Sequence, residues 1–313
     1  MLTASLREQL AADVRAGLLA AEPSIPPRWF YDARGSRLFD EITRLPEYYA
    51  TRTERWILET YADAIAAACE AATLAELGAG MATKTTVLLD ALERRGTLRL
   101  YAPLDVDATT LAETAPRIAA QYGIEVVPVV GDLLDVERLP RDGRRLVALL
   151  GGTIGNLLPA ARAAFLTRVA GALPKDDAFL VGIDLVKDRT RLVAAYDDAA
   201  GVTAAFNKNV LCVINRELDA DFDPAAFAHV ALWNEQQAWI EMRLRAIRDQ
   251  TVRIAALGVE APFAAGDEIL TEISAKFRVD GFAQELAAAG LAVAEVYTDP
   301  ARDFALVLAT ATR

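Results

Sequence analysis

Histidine is almost missing from this chain. There is one, His229, in 313 residues, with two cysteines (Cys69 and Cys212) and three methionines. A Cys/His metal cluster of the usual kind needs several such ligands at short spacing, so none is expected and no metal is assigned. Both cysteines read as small buried residues in a reducing compartment. His229 reads as a packing or surface residue rather than a catalytic one. Basic residues are also scarce: 33 Lys and Arg stand against 44 Asp and Glu, for a net charge of −11, with no basic cluster. A nucleic-acid partner is excluded on that ground, because the phosphate backbone demands Lys and Arg. Long apolar runs are lacking too. No uncharged apolar stretch reaches membrane-spanning length. Met1 to Ala21 carries Arg7, Glu8, Asp13 and Arg15 where a cleavable signal would have an unbroken apolar core. The expectation is a cytoplasmic protein without a membrane partner. What is abundant is apolar side chain, 53% of residues against 25% charged, enough to bury a sizeable core in one large or two ordinary domains.

The chain is organised around Leu74-Ala75-Glu76-Leu77-Gly78-Ala79-Gly80-Met81-Ala82-Thr83-Lys84. An apolar run ends in an acid and two glycines, then opens into the helical pattern Thr85 to Leu92. That predicts a strand, a tight turn and a helix start, with glycine where the backbone bends sharply and a ligand approaches. No third glycine follows in register, so the six-residue dinucleotide fingerprint is not met. The acid at the strand end resembles that of Rossmann-like S-adenosyl-L-methionine (SAM) methyltransferases. A lone Gly-x-Gly is satisfied by any tight strand–helix turn, but the next segments supply matching parts. Leu98 to Asp105 reads as a second strand ending in an acid, where such folds place a carboxylate on the ribose hydroxyls. Val126 to Leu133 reads as a third strand with Asp132 near its end, the position that approaches the adenine amino group in the methyltransferase class. A fourth strand, Leu146 to Leu150, runs into Gly151-Gly152-Thr153-Ile154-Gly155-Asn156. In this topology that exit loop lies over the cofactor methyl. A fifth strand, Phe179 to Asp184, completes the ascending set. Four such strand ends in sequence make coincidence a poor account.

Around this core, apolar spacing predicts a first helix over Ser5–Ala20, stopped by Pro23 and Pro26-Pro27. Arg28 to Asp40 is dense in aromatics and charges around a glycine turn at Gly35, and a helix runs from Thr53. Those aromatics fit a lid packed on a core and a site lining equally well. After Asp184 come about ninety residues foreign to a Rossmann fold: a helical pattern over Arg191–Asp198, loop signals at Asp223-Pro224, and strand-like alternation over Ala231–Arg245 and Val252–Ala255. The fold then resumes with a helix over Gly281–Ala289 and strands Leu291–Tyr297 and Phe304–Ala309. The expected architecture is α/β and discontinuous. A Rossmann-like core occupies 53–184 and 277–313, and a second, substrate-binding domain occupies 1–52 and 185–276.

Trp29-Phe30-Tyr31-Asp32-Ala33-Arg34-Gly35-Ser36, Leu45-Pro46-Glu47-Tyr48-Tyr49 and Thr51-Arg52-Thr53-Glu54 closely resemble the SAM-dependent histidine Nα-methyltransferases of ergothioneine biosynthesis. The resemblance continues through Glu76-x-Gly78-x-Gly80, Lys84, Gly151 to Asn156, Tyr196-Asp197-Asp198 to Asn207, Met242 and Thr271-Glu272-Ile273-Ser274-x-Lys276-Phe277. It implies SAM as cofactor, with S-adenosyl-L-homocysteine as product. Gly78, Gly80, Lys84, Asp105, Asp132 and Leu133 would hold it, Lys84 on the methionine carboxylate. It implies that Tyr31, Tyr48, Asn156 and Tyr196 line an amino-acid site, Asn156 and Tyr196 taking the substrate carboxylate. Glu272 and Ser274 would face the imidazole ring, and Phe206 and Met242 would wall it. Read without the resemblance, Glu272-x-Ser274 is an exposed strand face, Phe206 and Met242 are as readily ordinary core, and Lys84 is a solvated lysine that a helix N-terminus disfavours.

Methyl transfer from a sulfonium to an amine is an in-line displacement that needs an aligned, neutral nitrogen lone pair and no metal. The α-amine must therefore lose a proton, yet the sequence identifies no base. Tyr31 is a polar neighbour for the amine, with no firm catalytic role. The resemblance implies trimethylation of L-histidine to hercynine, with the mono- and dimethyl forms also bound; a monomer is expected. Two alternatives are methylation of another aromatic amino acid, such as a tryptophan derivative, and a non-catalytic SAM- or amino-acid-binding protein. Glu272 and Ser274 argue against the first, because an indole partners a carboxylate poorly.

Overall fold

A computed structural model describes residues 4–312. Met1–Thr3 and Arg313, which fall within the expected outer domain ranges and, at the start, within the segment read for a signal, lie outside the described residues. In chain order come α1 (Ala4–Leu18), α2 (Ala33–Ile42), α3 (Ala50–Cys69), β1 (Thr73–Leu77), α4 (Thr86–Arg94), β2 (Leu100–Asp105) and α5 (Ala108–Tyr122). Two short strands, β3 (Glu125–Val126) and β4 (Val129–Val130), precede β5 (Arg145–Leu149), α6 (Pro159–Ala172) and β6 (Ala178–Asp184). Next are α7 (Arg189–Ala194), α8 (Val202–Leu218), β7 (Phe227–Asn234), β8 (Trp239–Ala246), β9 (Gln250–Ile254), β10 (Val259–Phe263) and β11 (Glu268–Ala275). Then follow α9 (Val279–Ala288), β12 (Leu291–Thr298) and β13 (Phe304–Ala311). The chain divides into two compact units: Ala50–Val186 with Lys276 onward, and the segment up to Tyr49 with Lys187–Ala275.

The first unit is built on an eight-stranded sheet of order β12-β13-β6-β5-β1-β2-β3, with β4 also pairing β2. Strands β1, β2, β5 and β6 are parallel, and β13 runs antiparallel to both β6 and β12. Every residue of β1, β5 and β6 is buried, as parallel strands covered on both faces require. The chain leaves β1 toward β2 and β3, then returns on its other side with β5 and β6. The carboxyl ends of β1 and β5 thus flank a topological switch point, where open α/β sheets bind ligands.

The second unit packs α8 against α2 and the three-stranded antiparallel sheet β11-β8-β7. A separate β10-β9 ribbon completes its strands among the described residues. No helix is assigned to Val202–Leu218 by its sequence, and the composition explains why. Thr203, Asn207, Asn209, Val210, Val213, Ile214 and Asn215 are all weak helix formers. Burial of most of the helix overrides that preference.

Other local readings are corrected. Val126–Leu133 is not one strand: Pro128 has no N–H to give a ladder and divides it into β3 and β4. Ala231–Arg245 is a hairpin rather than one strand. Its turn contains neither Gly nor Pro, and is made by Asn234 accepting the Gln237 N–H at 3.1 Å and by Ala238 at φ 53°. Gly35 is not a turn but lies in the first turn of α2, where a Cβ would stand 1.7 Å from the Phe30 carbonyl oxygen. The glycine permits a close approach, and Asp32 caps the helix by accepting the Arg34 and Gly35 N–H groups. Helix α3 starts at Ala50, ahead of Thr53, and α7 covers Arg189–Ala194, ahead of the pattern read at Arg191–Asp198. Helix α1 ends at Leu18 and α9 spans Val279–Ala288, each within three residues of its reading. Cys69 is buried, but Cys212 is only partly so.

Candidate active site

At the carboxyl end of β1, Gly78 and Gly80 take left-handed backbone angles of +72° and +49°. A Cβ on Gly80 would meet nothing within 4 Å, and one on Gly78 would meet only the Leu133 Cδ2 at 3.6 Å. The turn therefore opens onto free space with Leu133 beside it. Asp105 ends β2 and fixes this turn: its Oδ2 accepts the Gly80 N–H at 2.8 Å while Oδ1 accepts the Asp107 N–H at 3.0 Å. Asp132 is exposed in the loop after β4, its Oδ1 accepting the Leu134 N–H at 3.1 Å. Next to these acids and glycines stand exposed apolar side chains that the sequence reading did not single out: Met81, Val106, Val130 and Leu134. An open glycine turn, two carboxylates and exposed apolar surface at successive strand ends fit a nucleoside with a charged tail. The residues present thus suit the SAM that the resemblance implies.

Glu76, the acid of the motif, turns inward instead. It is 4% exposed and accepts the hydroxyls of Thr85 and Tyr101. Burial pushes its carboxyl up to about 7, opposed by those two hydroxyls and the Lys84 ammonium and reinforced by the Glu54 charge. Lys84 follows the turn and pairs with Glu54 on α3. Glu54 is fully buried and also accepts the Gly151 N–H at the exit of β5, at 2.7 Å. One carboxylate thus ties the lysine after β1 to the loop after β5. Nothing in the spacing of Glu54 signals this, because only the fold brings α3 beneath both strand ends. Asn156, half-buried, ends the one-turn helix Thr153–Asn156 in that same loop.

In the second unit, six rings form a continuous cluster. Phe206 on α8 lies 4.7 Å from Phe30, 5.5 Å from Tyr31 and 5.9 Å from Phe39, centroid to centroid. Tyr48 lies 6.2 Å from Phe39 and 6.3 Å from Tyr196. The Tyr196 hydroxyl donates to Ser274 Oγ at 2.7 Å. Glu272 and Ser274 on β11 are buried, at 9% and 7% exposure, so this is not an open strand face. Met242 on β8 is the register partner of Glu272 and is also buried. Tyr31, Tyr48, Tyr196, Phe206, Met242, Glu272 and Ser274 are thus gathered in one unit. The Tyr31 phenol is held well above its ordinary value, first by shielding from water, then by the Glu272 charge and by Tyr48 and Tyr196. It is also 49% accessible. A phenol so raised stays protonated, so it offers a hydrogen bond and not a base.

His229 on β7 is neither surface nor simple packing. Its side chain is 3% exposed. Nε2 lies 2.8 Å from the Tyr196 carbonyl oxygen, and Nδ1 lies 2.8 Å from the side-chain nitrogen of Asn207 on α8. Asn207 also donates to the Arg243 carbonyl at 3.1 Å and accepts the Thr271 hydroxyl at 2.7 Å. Among the described residues, no group of three or more His, Cys, Asp and Glu is placed to hold a metal ion. No described helix is long and apolar enough to cross a membrane.

A family model described as a histidine-specific, SAM-dependent methyltransferase matches residues 10–311. The chain is 57% identical over 307 residues to the histidine N-alpha-methyltransferase of Mycolicibacterium smegmatis, covering 97% of this chain and 96% of that protein. It is 55% identical over 302 residues to that of Mycobacterium tuberculosis, covering 96% and 94%. It is 31% identical over 242 residues to ergothioneine biosynthesis protein 1 of Schizosaccharomyces pombe, covering 73% of this chain and 31% of that protein.

Proposed function

The chain belongs to the histidine-specific, SAM-dependent methyltransferase family, and on that premise we propose that it trimethylates the α-amine of L-histidine to hercynine, the first step of ergothioneine biosynthesis. The observation that carries this reading is the continuity of the match. It covers nearly the whole chain at 57% identity and so takes in both units. We assign the sheet unit to the methyl donor and the other unit to the amino acid.

When bound, SAM supplies an electrophilic methyl group on a sulfonium. Gly78 and Gly80 let its backbone-contacting parts approach, Asp105 and Asp132 take the ribose and adenine, and Leu133 covers the glycine turn. Lys84 faces the methionine carboxylate while Glu54 restrains its ammonium. In the second unit the Tyr196 hydroxyl takes the substrate carboxylate, exchanging its bond to Ser274 for one to the ligand. A phenol binds an anion without adding a full positive charge. Glu272 accepts one imidazole N–H and Ser274 partners the other ring nitrogen, two bonds that an apolar ring cannot make. Phe206 and Met242 give the ring apolar walls, and Tyr48 closes the aromatic side. Tyr31, protonated, hydrogen-bonds near the amine and leaves its proton to another acceptor. We further propose a cytoplasmic monomer, which sedimentation of the pure protein and fractionation of cells would check.

Mass analysis of products after incubation with SAM and each free amino acid in turn tests the reading. A gain of three methyl groups on histidine alone is expected. Release of monomethylhistidine only, under excess SAM, overturns the trimethylation. Gain on tryptophan instead overturns the roles of Glu272 and Ser274.

A further inference from the structure

We propose that His229 is a positioning residue for the substrate carboxylate: as a neutral imidazole protonated on Nε2, it locks the backbone of Tyr196 and so aims the Tyr196 hydroxyl. The proposal rests on the reading of Tyr196 as a carboxylate ligand. The hydrogen-bond directions follow from fixed ends. The Arg243 carbonyl can only accept, so the Asn207 atom beside it must be the amide nitrogen. The Asn207 oxygen then shares the single proton of the Thr271 hydroxyl with the Met242 carbonyl, at 2.7 and 2.9 Å. The second N–H of that same amide points at His229 Nδ1, which must therefore accept. The imidazole proton is left on Nε2, where the Tyr196 carbonyl receives it. Each side chain in this relay is buried: Asn207 is 0% exposed, Thr271 1% and the His229 side chain 3%.

The relay connects the substrate-facing groups. Tyr196 lies just beyond α7, its N–H donated to the Val193 carbonyl at 2.9 Å, and its side chain ends on Ser274. Thr271 is adjacent to Glu272, and Met242 pairs with Glu272 across the sheet. One imidazole thus joins the loop carrying Tyr196 to α8 and, through Asn207, to the strand carrying Glu272 and Ser274. A second proton on the ring would set N–H against N–H at Asn207. The charged groups around the ring are Asp197, whose Oδ1 is 4.0 Å from Nε2, together with Asp198 and Lys208. Burial outweighs the Tyr196 carbonyl and the two acids and lowers the imidazole's proton affinity, which keeps the accepting Nδ1 free of a proton.

Calorimetric binding of L-histidine, histamine and S-adenosylhomocysteine to wild type, His229→Ala, His229→Gln and Tyr196→Phe tests this. Histamine lacks the carboxylate, so it reports everything except the contact in question. In His229→Ala, histidine affinity should fall about tenfold or more, the scale of one misaimed hydrogen bond to a charged group, with histamine and S-adenosylhomocysteine changed by less than about twofold. His229→Gln, whose amide N–H reaches the same carbonyl, should recover most of the loss. Equal weakening of histidine and histamine, or no change in either, overturns the proposal. If Tyr196→Phe keeps the full preference for histidine over histamine, it is the reading of Tyr196 that fails. The wild type supplies a measurement that needs no variant, because it has one imidazole. Its nitrogen NMR shifts should show the Nε2–H neutral form persisting through about pH 6.5, where a free imidazole is half protonated. Titration at the ordinary value overturns the relay.

Discussion

Glu272 and Ser274 show how much a residue's meaning depends on burial. As letters they are an acid and a hydroxyl at period two, the pattern of a solvated strand face. In the structure both are nearly sealed, with Met242 opposite and the Tyr196 hydroxyl on Ser274. Loss of a charge-assisted bond to the substrate ring should cost about 1.5–3 kcal/mol, roughly 10- to 100-fold. Glu272→Ala should therefore lower kcat/KM for histidine by that factor while narrowing the preference over tryptophan, since an indole loses no carboxylate partner. An unchanged ratio of the two substrates would remove Glu272 from selectivity. Lys84 moved the other way. The family resemblance marked it for the cofactor, and the structure adds that the ammonium is already held by Glu54.

Strand ends organise the sheet unit, and one approach there is tight. A Cβ on Gly182 in β6 would stand 2.4 Å from Glu54 Oε1 and 3.0 Å from the Phe304 ring. The glycine leaves room for the carboxylate that caps Gly151 and restrains Lys84. Gly182→Ala should destabilise the fold by about 1–3 kcal/mol through overpacking, and should also weaken S-adenosylhomocysteine binding by displacing Glu54. Denaturant midpoints and calorimetry measure the two effects. Full stability with unaltered binding would show that Glu54 can shift at no cost. The parallel strands were legible in the sequence because burial on both faces leaves uninterrupted apolar runs ending in an acid or glycine. The β7–β8 turn was not, because its polar residues continue the alternation and no Gly or Pro interrupts it. Helix α8 was hidden for the opposite reason: its residues disfavour a helix until packing on α2 and the small sheet supplies the stabilisation.

For the whole molecule, two buried groups give opposite pH dependence. Glu76 is pushed up to about 7, above its unfolded value, so between about pH 4.5 and 7 the native state holds more protons than the unfolded chain. Stability from this source falls as pH rises through that window, by at most about 3 kcal/mol. Burial lowers His229, so its contribution is complete above about pH 6.5 and is lost on acidification as the unfolded chain takes up a proton. Glu76→Gln should flatten the decline toward neutral pH and leave the acid-side loss due to His229. Urea midpoints across pH 5 to 8 read both. A decline that persists in Glu76→Gln would assign it to another group.

The sequence by itself determined the core class, the order of the ascending strands and the two strands that close the fold. Through long ordered blocks it also determined the family and its chemistry. Those are properties of neighbours along the chain: periodicity, a glycine where the backbone must turn, an acid at a strand end. Tertiary structure decided what those side chains do. Glu76 faces inward to Thr85 and Tyr101 rather than outward. Glu54 reaches both Lys84 and Gly151 from α3. The lone histidine, read as a packing or surface residue, completes a relay from Tyr196 to Thr271. The physical reason is the same in each case. A buried polar group must find its partner, and when that partner is tens or hundreds of residues away no local pattern records it.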